Sequence, residues 1–141
     1  MRRAFLLLLL SCGFAAATVA APAALAAEDA VSEGIVIQAN GNEADFKRAL
    51  VLASNMREVL TKAKFEIVVY GPNVHLLTSF SDQVPLIQKV QDEGIDVIAC
   101  GRTLKTEKVS ESDLAPGVKV VPFGAVYIVN REKQGWQYLK P

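Results

Sequence analysis

The chain has 141 residues, 51% of them apolar, and its 15 Lys and Arg balance its 15 Asp and Glu. Nucleic-acid-binding proteins concentrate basic residues on one surface, and no basic cluster is present, so a nucleic-acid partner is not expected. The length and apolar content suit one globular domain with its own core.

The first 27 residues have the pattern of a secretory signal peptide. Two arginines precede a leucine-rich stretch, and a stretch rich in small residues then ends in Ala24-Leu25-Ala26-Ala27, a pattern found at cleavage sites. The apolar stretch is too short for a stable membrane span. We therefore expect cleavage, a mature domain of residues 28–141, and a periplasmic or secreted location with no membrane attachment. A lipoprotein signal at Cys12 and a twin-arginine signal stay open as alternative routes.

From residue 34 onward, short β-branched runs alternate with segments of helical periodicity. The predicted strands are residues 34–38, 65–70, 95–99 and 118–121, with 136–139 as an added edge strand. The predicted helices are residues 42–62, capped by Asn42, 84–93, capped by Ser81 or Asp82, 101–105 and 125–133, with a short turn at 74–77. This alternation predicts an α/β fold of three layers, α/β/α, around a mainly parallel sheet of four to five strands.

Two helical segments carry more apolar surface than one small sheet covers. Residues 49–53 are apolar on all sides of the first helix, and residues 126–129 are apolar in the last one. A helical turn with no polar side is normally covered on two sides. We therefore expect the mature protein to self-associate.

Polar side chains follow the strands at the edge where the carboxyl ends of parallel strands meet. Open α/β sheets place their ligand crevices at this edge. The candidate site residues in these loops are Asn40, Asn73, His75, Cys100, Arg102 and Thr103.

Cys100 is the only cysteine of the predicted mature chain, because Cys12 lies in the signal peptide. A lone exported thiol is either a small buried hydrophobe or a reactive or intermolecularly paired group. Its position favours reactivity, since N–H groups at the start of the helix 101–105 stabilise a thiolate and Arg102 adds a nearby cation. A reactive sulfur is also expected to be exposed, whereas a pocket-lining sulfur tolerates burial.

The other candidates have alternative interpretations. His75 either bonds the thiol or is simply exposed, and Arg102 either steers an anion or is a solvated surface residue. One cysteine and one histidine are too few for a zinc site, and no glycine-rich phosphate motif is present. We therefore expect neither a metal nor a cofactor.

Several ordered segments form one combined pattern. They are the strand that ends in Gly71-Pro72, the element Cys100-x-x-Thr103-Leu104, the stretch from Leu114 to Gly124, and the closing segment from Gly135 to Pro141. Together they resemble the DsrE/DsrF-like sulfur-relay family. The resemblance covers about residues 34–141. It implies an α/β/α fold, a homotrimer or homohexamer, and a cysteine that carries sulfur as a persulfide in the sulfur-transferring members. Cys100 matches that cysteine by position.

Two functions stay open at this point. In the first, the chain is an exported sulfur carrier or sulfurtransferase-like protein of oxidative sulfur metabolism, and Cys100 exchanges sulfur with a donor or acceptor protein or a small sulfur species. In the second, it is a non-catalytic oligomeric binding or accessory protein, and Cys100 lines a pocket. The predicted signal peptide departs from the cytoplasmic relay proteins, so their partners do not carry over.

Removal of the signal peptide is directly testable. The protein recovered from the exported fraction is expected to begin near Ala27 or Glu28, because the small residues before Glu28 form the predicted cleavage site. N-terminal sequencing measures this start. A mature chain that still begins at Met1 would contradict the prediction.

Overall fold

The computed structural model describes residues 34–141. The predicted signal peptide, residues 1–27, and Cys12 lie outside the described residues. Among residues 34–141, no helix combines the length and the apolar character that a bilayer crossing requires.

Strands and helices alternate along the described chain. The strands are β1 (Gly34–Ala39), β2 (Lys64–Val69), β3 (Ile95–Cys100), β4 (Lys119–Val121) and β5 (Gln137–Leu139). The helices are α1 (Glu43–Val59), α2 (Val84–Asp92), α3 (Gly101–Thr106) and α4 (Gly124–Lys133), with 3₁₀ helices at Gly71–Leu77 and Glu111–Asp113. The predicted order of elements is confirmed, and their boundaries shift by one to a few residues.

All neighbouring strands of the sheet are parallel, in the order β4-β3-β2-β1-β5. The α/β/α prediction is therefore confirmed. From β1 to β4 the chain steps across the sheet in one direction, and it then returns to the far side of β1. Because parallel crossovers are right-handed, this reversal moves the last helix, α4, to the opposite face of the sheet.

The two faces of the sheet differ in how they are covered. The first face packs against α1, α2 and α3 through a large cluster that includes Phe46, Leu50, Ile87 and Leu104. The second face has a smaller cluster of buried residues, which are Val36, Val68, Ile98, Ile128 and Trp136. On this face α4 is the covering helix of the described chain. The burial of the side chains beneath α4 therefore depends on where this helix lies.

The structure confirms the predicted N-terminal cap of α1 and contradicts the predicted cap of α2. Asn42 Oδ1 accepts a hydrogen bond from the N–H of Asp45 (3.0 Å), whose Oδ2 accepts one from the N–H of Asn42 (3.1 Å), so the predicted cap is confirmed. The predicted cap of α2 is wrong, because Ser81 Oγ accepts from the N–H of Gln83 in the preceding turn (3.1 Å). Pro85 in the first turn of α2 lacks an N–H, which reduces the need for a cap.

The apolar turn of α1 is covered on one side in the single chain. Ala49, Leu50 and Ala53 are buried, whereas Val51 is 48% exposed. The single chain therefore covers one side of this turn, and the expected second cover, which would come from another copy of the chain, stays a prediction.

Candidate functional site

Cys100 ends β3 with its side chain on the second face of the sheet, beneath the start of α4. Its exposed fraction is 6%, so the expectation of an exposed sulfur is wrong for this structure. The physical reason is the position of Gly124, whose backbone lies close to both Cys100 and the Tyr70 ring. The sulfur is covered by a backbone segment of α4.

The first N–H group of α4 donates a hydrogen bond to the thiol. The distance from the Gly124 nitrogen to Cys100 Sγ is 3.2 Å. Phe123, the residue that precedes α4, supplies no side-chain cap, and Sγ accepts from one of the N–H groups at the start of α4 that have no partner within the helix. The positive end of the α4 dipole also faces the sulfur. The sequence predicted donors at the start of α3. The N–H groups of Arg102 and Thr103 there do favour the thiolate, but Cys100 makes no side-chain cap bond with α3, and the hydrogen bond to Sγ comes from α4.

The close approach of α4 to β3 requires glycine at position 124. A Cβ atom there lies 3.1 Å from Val68 Cγ1, 3.2 Å from Cys100 Cβ and 3.3 Å from Tyr70 Cδ1. These separations are tighter than ordinary van der Waals contacts. A side chain at position 124 would therefore require either the start of α4 or the side chains of Val68 and Tyr70 to shift by a few tenths of an ångström.

Opposing effects set the pKa of the Cys100 thiol. Burial is the largest influence and raises the pKa, because water no longer solvates the thiolate. The Thr103 hydroxyl and the N–H groups of Gly124, Thr103 and Arg102 favour the thiolate and together hold the pKa below its ordinary value. The N–H of Gly124 makes a hydrogen bond to Sγ, with a nitrogen-to-sulfur distance of 3.2 Å. The N–H of Arg102 instead donates to the Pro122 carbonyl at 3.0 Å. The thiolate fraction at neutral pH is therefore larger than in a free cysteine.

Arg102 links the two loops that flank the sulfur. Its guanidinium carbon lies 5.5 Å from the centre of the Phe123 ring, within cation–π range. Its backbone N–H donates to Pro122 in the same loop. Arg102 is thus both the cation nearest to Cys100 in sequence and a contact that holds the loop before α4.

A cleft opens beside this site, where β3 and β4 end. The helix after β3 lies on one face of the sheet and the helix after β4 lies on the other, and open α/β sheets form ligand crevices at such points. The cleft has a volume of about 460 Å³, and its lining residues are Gly101, Arg102, Lys105, Glu111, Val120, Pro122 and Phe123. Cys100 lies behind this lining rather than in it.

Three of the predicted site residues make local contacts away from the thiol. His75 is exposed and its Nε2 lies 3.1 Å from Glu107 Oε2. Asn73 is buried and its Nδ2 donates to the Asn42 carbonyl (3.3 Å). Asn40 Oδ1 accepts from Gln38 Nε2 (2.8 Å). The structure therefore brings Arg102 and Thr103 to Cys100 and gives the other three residues different partners.

Sequence reasoning placed the loop Pro122–Gly124 at this edge but gave no site role to four residues at or beneath α4. They are Phe123 and Gly124 at the start of the helix, Tyr70 after β2 and, deeper under the helix, Glu66 of β2. Burial raises the pKa of Tyr70, and the negative charges of ionised Tyr138 and Cys100 raise it further, so its phenol stays protonated at neutral pH. An acid inside the apolar strand β2 was the available signal for Glu66, because buried carboxylates need partners.

No group of three or more His, Cys, Asp or Glu residues in positions 34–141 is arranged to hold a metal ion. The groups that surround the sulfur are hydrogen-bond donors, aromatic rings and one arginine. Such an arrangement suits a thiolate or another sulfur anion.

The comparison with known protein families identifies the group to which the chain belongs. The DsrE/DsrF-like family matches residues 32–141. The chain is a member of this family. The family suggests a role related to sulfur relay. No curated protein matches the chain significantly.

Solved structures share the fold of this DsrE/DsrF-like protein. A protein of unknown function from Methanobacterium thermoautotrophicum is 28% identical, with a TM-score of 0.68, over 78% of this chain and 100% of that chain. The ychN protein from E. coli is 17% identical, with a TM-score of 0.67, over 77% and 98%. A conserved protein of unknown function from Bacteroides thetaiotaomicron is 19% identical, with a TM-score of 0.63, over 76% and 93%. At these identities the last two matches support the fold alone.

Gly124→Ala is expected to raise the pKa of Cys100 by about 0.5–1 unit, because the added methyl group displaces α4 and lengthens the N–H···S bond. The alkylation rate of Cys100 against pH gives this pKa as its midpoint, even when burial makes the rates slow. The matched control is Ala125→Ser, an exposed position on the same turn. An unchanged midpoint in Gly124→Ala would show that the bond has no influence on the thiolate.

Proposed function

We propose that this DsrE/DsrF-like protein is an exported sulfur carrier that accepts sulfur as a persulfide on Cys100. The observation that carries the proposal is the hydrogen bond from the first N–H of α4 to Sγ, at 3.2 Å. It supports the thiolate that must attack the donor, and the family membership adds a sulfur-related role.

The chemistry requires one bond to form and one to break. The Cys100 thiolate attacks the outer sulfur of a polysulfide or thiosulfate, the S–S bond of the persulfide forms, and the donor's bond to that sulfur breaks. The donor leaves as a shorter polysulfide or as sulfite. A nucleophile of the acceptor later takes the outer sulfur and restores the thiolate, so the carrier undergoes no net change.

The neighbouring cleft supports entry of an anionic donor. Arg102 and Lys105 both line it, against one acidic residue, Glu111. Because Cys100 is buried, a donor reaches Sγ only when the segment Pro122–Gly124 moves aside. The sequence pattern of residues 1–27, which lie outside the described residues, supports the export part of the proposal.

Mass spectrometry tests sulfur loading on the mature chain. After incubation with polysulfide or thiosulfate, the intact mass is expected to rise by about 32 Da, one sulfur atom, and to return to the starting value after reduction. Cys100→Ser is expected to remain folded, since the two side chains are close in size, and to gain no sulfur. Circular dichroism confirms the fold of the variant.

The burial of Cys100 favours the second function, a non-catalytic binding or accessory protein in which the cysteine is a packing residue. In that case Cys100 resists alkylation at every pH and gains no sulfur from any donor. The cleft between β3 and β4 would then be the ligand site. These results would refute the carrier function and support the binding or accessory function.

We also propose that the partner of the exposed apolar surfaces is a second copy of the chain. Val51 on α1, and Val126 and Val129 on α4, are each about half exposed.

Light scattering at micromolar concentration is expected to give a multiple of the mature mass, a trimer or hexamer by family resemblance. Val126→Asp and Val129→Asp are expected to lower that mass, because a charge on an apolar contact is costly to bury. Glu132→Gln, an exposed position on α4, is the control. A wild-type mass of one chain would refute the assembly.

A further inference from the structure

A buried carboxylate on β2 fastens α4 to the sheet. The side chain of Glu66 is 6% exposed. Its Oε2 accepts hydrogen bonds from Arg131 Nε (2.8 Å) and from Tyr127 Oη (2.9 Å), and its Oε1 accepts one from Arg131 Nη2. The carboxylate is therefore satisfied by two residues of a single helix.

The arginine of this cluster also contacts two aromatic rings, with its side chain 26% exposed. Its guanidinium carbon lies 4.3 Å from the centre of the Trp136 ring and 4.9 Å from that of Tyr127. The bonds to Glu66 raise the pKa of Arg131, so it remains charged. A bidentate pair held between two rings has a fixed geometry, unlike an exposed ion pair.

The two residues that bind Glu66 lie on the same side of α4 as Gly124, the residue that donates to the thiol. Tyr127 and Arg131 follow Gly124 by three and seven residues, so all three lie on one side of α4. That side faces the sheet, since Gly124 and Ile128 are buried there. A shift of α4 at Tyr127 or Arg131 therefore moves the N–H of Gly124 relative to Sγ.

We propose that Glu66 is a positioning residue for Cys100: by holding Tyr127 and Arg131 it fixes the position of α4 at which the Gly124 N–H points at Sγ. The inference rests on the proposed role of Cys100 as a nucleophile, and it assigns to the buried cluster a function in addition to packing.

The chain offers a matched control on the adjacent strand. Asp96 is the register partner of Glu66 across β2 and β3, and therefore lies on the same face. Its carboxylate pairs with Lys119 of β4 at 2.6 Å, is partly exposed, and makes no hydrogen bond to α4. Asp96→Asn thus removes the same charge from the same face without releasing the helix.

The experiment measures the alkylation midpoint of Cys100 in Glu66→Gln and Asp96→Asn, at a temperature where circular dichroism shows each variant folded. Loss of a negative charge by itself favours the thiolate and lowers the pKa. Loss of the Gly124 bond raises it. We expect Glu66→Gln to raise the midpoint by about one unit, a tenfold smaller thiolate fraction below the midpoint, and Asp96→Asn to leave it unchanged or slightly lower.

A lower or unchanged midpoint in folded Glu66→Gln overturns the proposal, as does an equal rise in Asp96→Asn. If Glu66→Gln does not fold, Tyr127→Phe removes only the hydroxyl that reaches Glu66, and an unchanged midpoint in that variant has the same consequence. The measurement involves no sulfur transfer. If the wild-type protein gains no sulfur while the midpoint rises as expected, the carrier function fails and the positioning role of Glu66 stands.

Discussion

The contact between Gly124 and Cys100 determines most properties of the candidate site. With no side chain at position 124, the first turn of α4 lies close enough for its N–H to reach Sγ at 3.2 Å. The same approach buries the sulfur, brings the Tyr70 ring edge against the backbone, and places Pro122 and Phe123 at the wall of the cleft. One steric constraint therefore fixes the hydrogen bond, the exposure of the thiol and the shape of the adjacent cleft.

That contact has opposite effects on reactivity and access. Covering the sulfur removes water from the thiolate, which raises the pKa, while the hydrogen bonds that accompany the cover lower it by a larger amount. A thiol held in this way ionises more readily than the thiol of a free cysteine. A reactant, however, reaches it less easily because the sulfur is covered. Such a balance suits a site in which a persulfide must survive between a donor and an acceptor.

Local pattern predicted the order of elements, and long-range topology decided what the sequence left open. Turn residues after each β-branched run identified the strands, and the end of β3 at Cys100 followed from them. The identity of the helix above Cys100 did not, because it depends on the strand order and on the reversal after β4 that moves α4 to the second face. The burial of Cys100 and the pairing of Glu66 both follow from that reversal, so both were missed. The sequence predicted His75 near the thiol because its loop follows β2, the neighbour of β3. In the structure His75 pairs with Glu107 instead.

The unequal cover of the two faces gives α4 a special place in the stability of the fold. Within residues 34–141, three helices close the first face over a large core, and one ten-residue helix covers a small cluster and the Glu66 pair on the second. Helices with few attachments open locally at a lower free energy than the whole domain unfolds. Access to Cys100 is then governed by an equilibrium constant for local opening, so that any substitution or partner that changes the hold on α4 also changes the fraction of time for which the sulfur is available.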